Sequence, residues 1–204
     1  MAMFARDLSV AHYRSFDSYR LVLDDGVTVL VGPNAAGKTN LIEALQLLTS
    51  GASFRHPTAA ELVHDGVGSC RVQLRLEGDG RVLDMGLSVE DGKRSFSRNG
   101  KKCSAAGVRG VLPSVLFCPD HLDMVKRGAN VRRAALDDFG VQLSARYADL
   151  ASAYGRCVTQ RNALLKESWC CREMLGAWNE SIARAGSALL VHRLALLDRL
   201  AGHV

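Results

Sequence analysis

Gly32-Pro33-Asn34-Ala35-Ala36-Gly37-Lys38-Thr39 is a complete G-x-x-x-x-G-K-T stretch, the spacing of a phosphate-binding loop. The apolar run Val27-Thr28-Val29-Leu30-Val31 precedes it, and Leu41-Ile42-Glu43-Ala44-Leu45-Gln46-Leu47-Leu48 follows with helical spacing. The expected local structure is a buried strand, a tight turn and a helix N-terminus. Backbone N–H groups and the positive end of the helix dipole then face an anion. Lys38 is expected at the β/γ-phosphates, and the Thr39 hydroxyl on Mg²⁺. Gly32, Pro33, Asn34, Ala35, Ala36, Gly37 and Asn40 complete the expected contacts. The stretch implies a nucleoside triphosphate, with ATP and Mg²⁺ as the expected ligands.

The chain has 204 residues, 48% hydrophobic and 23% charged. That suits one large domain or two small ones around a real core, and excludes a disordered or fibrous chain. No apolar stretch is long enough to span a bilayer. Met1-Ala2-Met3-Phe4-Ala5-Arg6-Asp7 lacks the apolar core of a signal peptide. The cytoplasm is the expected compartment. A formal charge of +5 exceeds what nucleotide binding requires and hints at a polyanion partner. The six cysteines form no C-x-x-C pair and have no His at zinc-ligand spacing, so reduced, mostly buried thiols are expected.

Leu8 to Tyr13 alternates as a strand does. Tyr19 to Leu23, the turn Asp24-Asp25-Gly26, and Val27 to Val31 read as a hairpin delivering its second strand to the phosphate loop. The helix after Lys38 is expected to stop at Ser50-Gly51. Cys70 to Asn99 reads as a β meander with turns at Gly78-Asp79-Gly80 and Asp91-Gly92, and Asn99-Gly100 is a further turn. Val111 to Phe117 reads as a short buried strand broken by Pro119. Beyond it the pattern is helical, and Leu190, Leu194, Leu197 and Ala201 make an apolar stripe. The expected fold class is α/β, with a nucleotide-binding lobe over residues 1–118 and an α-helical lobe or arm over 119–204. The lobe would combine a mixed sheet with an antiparallel meander.

Several segments together resemble the RecF family, relatives of the SMC-type ABC ATPases. His12-Tyr13-Arg14-Ser15-Phe16 resembles that family's N-F-R-N-Y. Gly37 to Leu45 resembles G-K-T-N-L-L-E-A, and Ser53-Phe54-Arg55 the segment that follows it. Leu116-Phe117-Cys118-Pro119-Asp120 resembles L-F-S-P-E. Arg132-Arg133 with Leu136-Asp137 resembles R-R-x-F-L-D, and Gln160-Arg161-Asn162-Ala163-Leu164-Leu165-Lys166 matches a family heptapeptide. Cys118 stands for the usual Ser, His121 for an acidic residue, Arg127-Gly128-Ala129 for G-S-P, and Ala35 for a common Gly. The resemblance covers the N-terminal portion of the family, since no L-S-x-G-Q loop occurs and no apolar strand ends in an acidic pair.

The resemblance implies an ATP-binding, DNA-binding protein of repair, replication restart and the SOS response, with weak DNA-dependent ATPase activity. It implies loading at single-strand/double-strand junctions, ATP-driven homodimerisation, and cooperation with RecR and RecO. Without the signature loop and acidic pair, this chain is expected to bind ATP weakly and to hydrolyse it hardly at all. Arg14 and Arg55 are candidate phosphate or ribose contacts. Lys93, Arg94, Arg98, Lys101 and Lys102 surround Asn99-Gly100 and suit a DNA backbone, or a solvated edge that blocks sheet aggregation. Gln160-Arg161-Asn162 suits helix packing more than DNA, and Trp169 and Trp178 suit core or interface anchors. Two other readings remain: a small P-loop kinase or GTPase, which lacks its lid arginines and N-K-x-D motif here, and a non-enzymatic scaffold whose nucleotide only holds the fold.

Overall fold

The computed structural model describes residues 3–166 and 172–203. The chain divides into two compact units, Met1–Leu116 and Phe117–Val204. The first is built on six strands: β1 (Phe4–Tyr13), β2 (Phe16–Val22), β3 (Ser69–Gly78), β4 (Arg81–Glu90), β5 (Lys93–Arg98) and β6 (Lys101–Cys103). Their order is β2-β1-β3-β4-β5-β6, and every pairing is antiparallel.

The meander is set by its turns. Asp79-Gly80, Asp91-Gly92 and Asn99-Gly100 each have both φ angles positive, at 53° and 69°, 50° and 69°, and 49° and 74°. This is the two-residue turn whose twist matches that of the flanking strands. Strict alternation then puts Leu8, Val10, Val72, Leu74, Leu76, Leu87, Val89 and Phe96 into one core with Leu41, Ala44, Leu47 and Leu48 of helix α1 (Lys38–Ser50). Helix α1 stops where expected, at Gly51, whose N–H meets the Leu47 carbonyl at 3.1 Å. A short helix, α2 (Ala105–Val108), follows β6.

Two expected strands do not form. β2 pairs with β1 across the turn Arg14-Ser15, and not with Val27–Val31. The latter run belongs to no strand: Val27, Val29 and Val31 are 92%, 73% and 89% exposed, while Leu30 packs against the core. Its alternation is that of a strand, but among the described residues no neighbour satisfies its backbone row. The mixed part of the expected sheet is therefore missing from the pairing, which is antiparallel throughout the described residues. Residues 111–117 behave alike. Val111 and Leu112 reach the core, whereas Val115 and Phe117 are exposed and no strand forms.

The second unit holds α3 (Asp123–Lys126), α4 (Ala129–Leu143), α5 (Ala145–Leu164) and α6 (Arg172–Ala201). Tyr147, Leu189 and Leu196 form its core with Leu136, Phe139, Leu150 and Leu200 packed around them. Gly140 of α4 lets the Tyr147 ring approach, since a Cβ there would lie 2.6 Å from the ring. The Asp137 carboxylate ties three helices together. It accepts from Arg193 Nε at 2.8 Å and Nη2 at 2.6 Å, and from the Tyr147 hydroxyl at 2.6 Å. The stripe of Leu190, Leu194 and Leu197 lies beside the core-facing line of α6, about a quarter-turn or more from Leu189 and Leu196, and is exposed. Among the described residues no helix is long and apolar enough to cross a membrane.

Candidate nucleotide-binding site

The loop from Gly32 to Ala36 is exposed and turns into α1 at Gly37. Gly37 has φ 85°, and its carbonyl accepts from Asn40 N at 2.9 Å and Leu41 N at 3.2 Å. A Cβ at Gly37 would fall 2.4 Å from the Phe16 ring and 2.8 Å from Ser15 Oγ. The β1–β2 turn therefore rests directly on the end of the loop, and only glycine fits there. Lys38 Nζ donates to the carbonyls of Gly32 and Pro33, each at 2.7 Å, so its charge is held inside the curve of the loop. Thr39 is exposed in the first turn of α1. The N-terminal N–H groups of that helix and the ammonium together suit a polyphosphate. Mg²⁺ would find one protein hydroxyl, that of Thr39. Among the described residues there is no group of three or more His, Cys, Asp or Glu able to hold a metal.

Arg14 and Arg55 are brought together, and the group that does so is Glu43. Glu43 is fully buried, at a core-facing angle of α1 among Leu41, Ala44 and Leu47. Its Oε1 accepts from Arg14 Nη2 at 2.8 Å and Ser53 Oγ at 2.6 Å. Its Oε2 accepts from Arg14 Nε at 3.0 Å, Tyr13 OH at 3.3 Å and Arg55 Nη1 at 3.4 Å. Arg55 Nη1 also donates to Asn40 Oδ1 at 2.8 Å, and Asn40 Nδ2 to Ser15 Oγ at 3.0 Å. A fork-shaped guanidinium on a carboxylate is among the stronger pairings available to a protein. Burial by itself would lower the Arg14 pKa, but the hydrogen bonds and charge of Glu43 carry it above its ordinary value. Burial first, and then the Glu43 charge, push the Tyr13 phenol well above its usual range.

The sequence did not offer Glu43, Tyr13 or Ser53 as site residues. The available signal was a lone acid on the apolar face of the helix, a position that needs buried partners.

The basic cluster around Asn99-Gly100 is split by the pleat. Arg94, Arg98 and Lys101 share the Phe96 side of the sheet, while Lys93 and Lys102 share the other. The Arg94 guanidinium is bonded to the Pro57 carbonyl. Lys102 ends a polar row that crosses the outer face through Ser97, Gly86, Gln73 and Ser9 to Arg20. In the helical unit Arg161 Nε donates to Asn179 Oδ1 at 2.7 Å, linking α5 to α6, while Gln160 and Asn162 are exposed. Trp178 is half-buried on α6. Trp169 and the Cys170-Cys171 pair lie outside the described residues.

Residues 3–100 match the family described as AAA ATPase domain. The "DNA replication and repair protein RecF" of Arthrobacter sp. (strain FB24) is 34% identical over 210 residues, covering 99% of this chain and 52% of that protein. The RecF of Streptomyces avermitilis is 34% identical, covering 97% of this chain and 56% of its own length. The chain thus spans about half the length of the curated relatives it matches. Among solved structures, the recombination mediator protein RecF-ATPrS in the RecFOR pathway superposes with a TM-score of 0.90 at 27% identity. That match covers 98% of this chain and 55% of the other. The corresponding RecF-ATP structure superposes with a TM-score of 0.88. In sequence and in fold, the chain is a homologue of RecF and corresponds to the N-terminal portion of that family.

Proposed function

We propose that this chain binds ATP through the loop from Gly32 to Thr39, as part of a RecF-like protein of DNA repair and replication. The observation that carries the reading is the built cradle at the start of α1. Gly37 is left-handed against Phe16, and Lys38 is folded into the loop. Arg14, Arg55 and Asn40 flank the phosphates. Thr39 offers its hydroxyl to Mg²⁺, which neutralises phosphate charge when bound.

In the whole protein, ATP would draw two copies into a dimer, with RecR and RecO as partners and junctions of single- and double-stranded DNA as the target. The compartment would be the cytoplasm. Lys93, Arg94, Arg98, Lys101 and Lys102 are the proposed contacts to the DNA backbone, Arg94, Arg98 and Lys101 from one face of the hairpin and Lys93 and Lys102 from the other. The reading is supported by the relatives, which are DNA replication and repair proteins, and by the similar RecF–ATP structure.

Titration with Mg-ATP tests it. Wild-type chain is expected to bind weakly and Lys38→Ala not at all, with turnover at background in both. Equal binding by Lys38→Ala would overturn the site, and Lys38-dependent hydrolysis would overturn the claim that this chain lacks catalytic groups.

A further inference from the structure

Glu43 lies one helical turn beyond the phosphate loop, has no exposed surface, and receives donors from two separate segments. Tyr13 ends β1 and Arg14 opens the turn after it, Ser53 and Arg55 follow α1, and Glu43 sits on α1 itself. A carboxylate in this position is a poor device for stability alone. Its desolvation offsets much of the ion-pair attraction, and well-packed apolar side chains commonly serve as well. What the carboxylate does provide is direction. It fixes two guanidiniums that a surface Arg would leave free to rotate.

We infer that Glu43 is the positioning residue of the nucleotide site, holding Arg14 and Arg55 in place beside the first turn of α1. The inference rests on the phosphate-loop reading above and adds a selectivity to it. Arg14 presents two of its nitrogens to Glu43 and is thereby a fixed strut. Arg55 is held more loosely, by one nitrogen shared between Asn40 at 2.8 Å and Glu43 at 3.4 Å. Asn40 lies in the first turn of α1, so Arg55 is kept beside the start of that helix, where the terminal phosphate would lie. A cation there favours a triphosphate over a diphosphate, because only the former carries the additional charge within its reach. Glu43 sets that preference through Arg55, without touching the nucleotide.

The test is a double-mutant cycle read in selectivity. Mg-ATP and Mg-ADP affinities are measured by isothermal titration for wild type, Glu43→Gln, Arg55→Ala and the double variant. Each single change is expected to lower the ATP-to-ADP affinity ratio about tenfold, the size of one charge-assisted hydrogen bond. The double variant should fall no further than Arg55→Ala alone, since Glu43 acts through that residue. Additive losses, or a ratio within twofold of wild type in Glu43→Gln, overturn the positioning role. If Glu43→Gln does not fold, Glu43→Asp replaces it in the same cycle: a ratio within twofold of wild type refutes the proposal, and a fall that does not add to that of Arg55→Ala sustains it. A wild-type chain with no Lys38-dependent affinity for ATP would refute the phosphate-loop reading, and this proposal with it. The Lys38→Ala control separates that result from a failure of Glu43 alone.

Discussion

The Phe16 ring occupies the space that a side chain at residue 37 would need, with Cζ 2.4 Å from where a Cβ on Gly37 would stand. The β1–β2 turn and the phosphate loop are thus registered against each other by the absence of one carbon. Gly37→Ala combines this clash with a φ of 85°, a backbone region that costs an L-residue about 1–2 kcal/mol. The variant is expected to lose about 2 kcal/mol or more in urea unfolding, and to lose measurable ATP binding.

Ala35 carries φ 65° within the same loop. A glycine would remove a strain of about 1–2 kcal/mol there, offset by about 0.4–1 kcal/mol of added unfolded-state entropy. Ala35→Gly should therefore raise stability by about 0–1.6 kcal/mol, read as an upward shift in Tm. A fall in Tm would mean that the Cβ makes a contact worth more than the strain.

The Asp137 clasp predicts two pH limits for the helical unit. Burial alone would raise the Asp137 pKa, but the bonds from Arg193 and Tyr147 hold it below its ordinary value. The stabilisation is present above the ordinary Asp range near 3.8 and is lost as acid protonates the folded carboxylate. Burial and then the Asp137 bond push the Tyr147 phenol up to about 12 from 10.0. The unfolded chain then ionises first, so stability falls as pH rises from 10.0 towards 12. Asp137→Asn should cost about 1–3 kcal/mol and flatten the acid limb of a helicity-against-pH curve.

The division of the basic cluster between two faces predicts which cations act together on DNA. Lys93→Gln/Lys102→Gln and Arg98→Gln/Lys101→Gln change opposite sides of the β5–β6 hairpin. If DNA lies on one side, one pair of changes should reduce the log–log salt slope by about 1.8, at roughly 0.9 per contact. The other pair should leave it nearly unchanged. Unchanged slopes in both would remove the hairpin from the DNA interface.

Local chemistry was legible in the sequence, and long-range pairing was not. The phosphate loop, the three Asx-Gly turns and the end of α1 at Gly51 each follow from residues within a few positions of one another. Tyr19 to Val31 read as a hairpin because two β-prone runs flank a turn. The partner of β2, however, was chosen by the nearer Arg14-Ser15 turn, which folds β1 back on it. Alternation in Val27–Val31 announces a strand but says nothing about whether a neighbour exists. Glu43 was hidden for a related reason. Its meaning lies in Arg14 and Arg55, 29 and 12 positions away, and a helical acid by itself reads as solvent-facing.

Val27, Val29 and Val31 stand in the open beside the phosphate loop. A row of β-branched side chains whose amides find no partner among the described residues is a template onto which an extended peptide can zip. Concentrated solutions of this chain should therefore lose soluble protein faster than in proportion to concentration, as read by light scattering. Val29→Lys should slow that loss, placing a gatekeeping charge in the middle of the row.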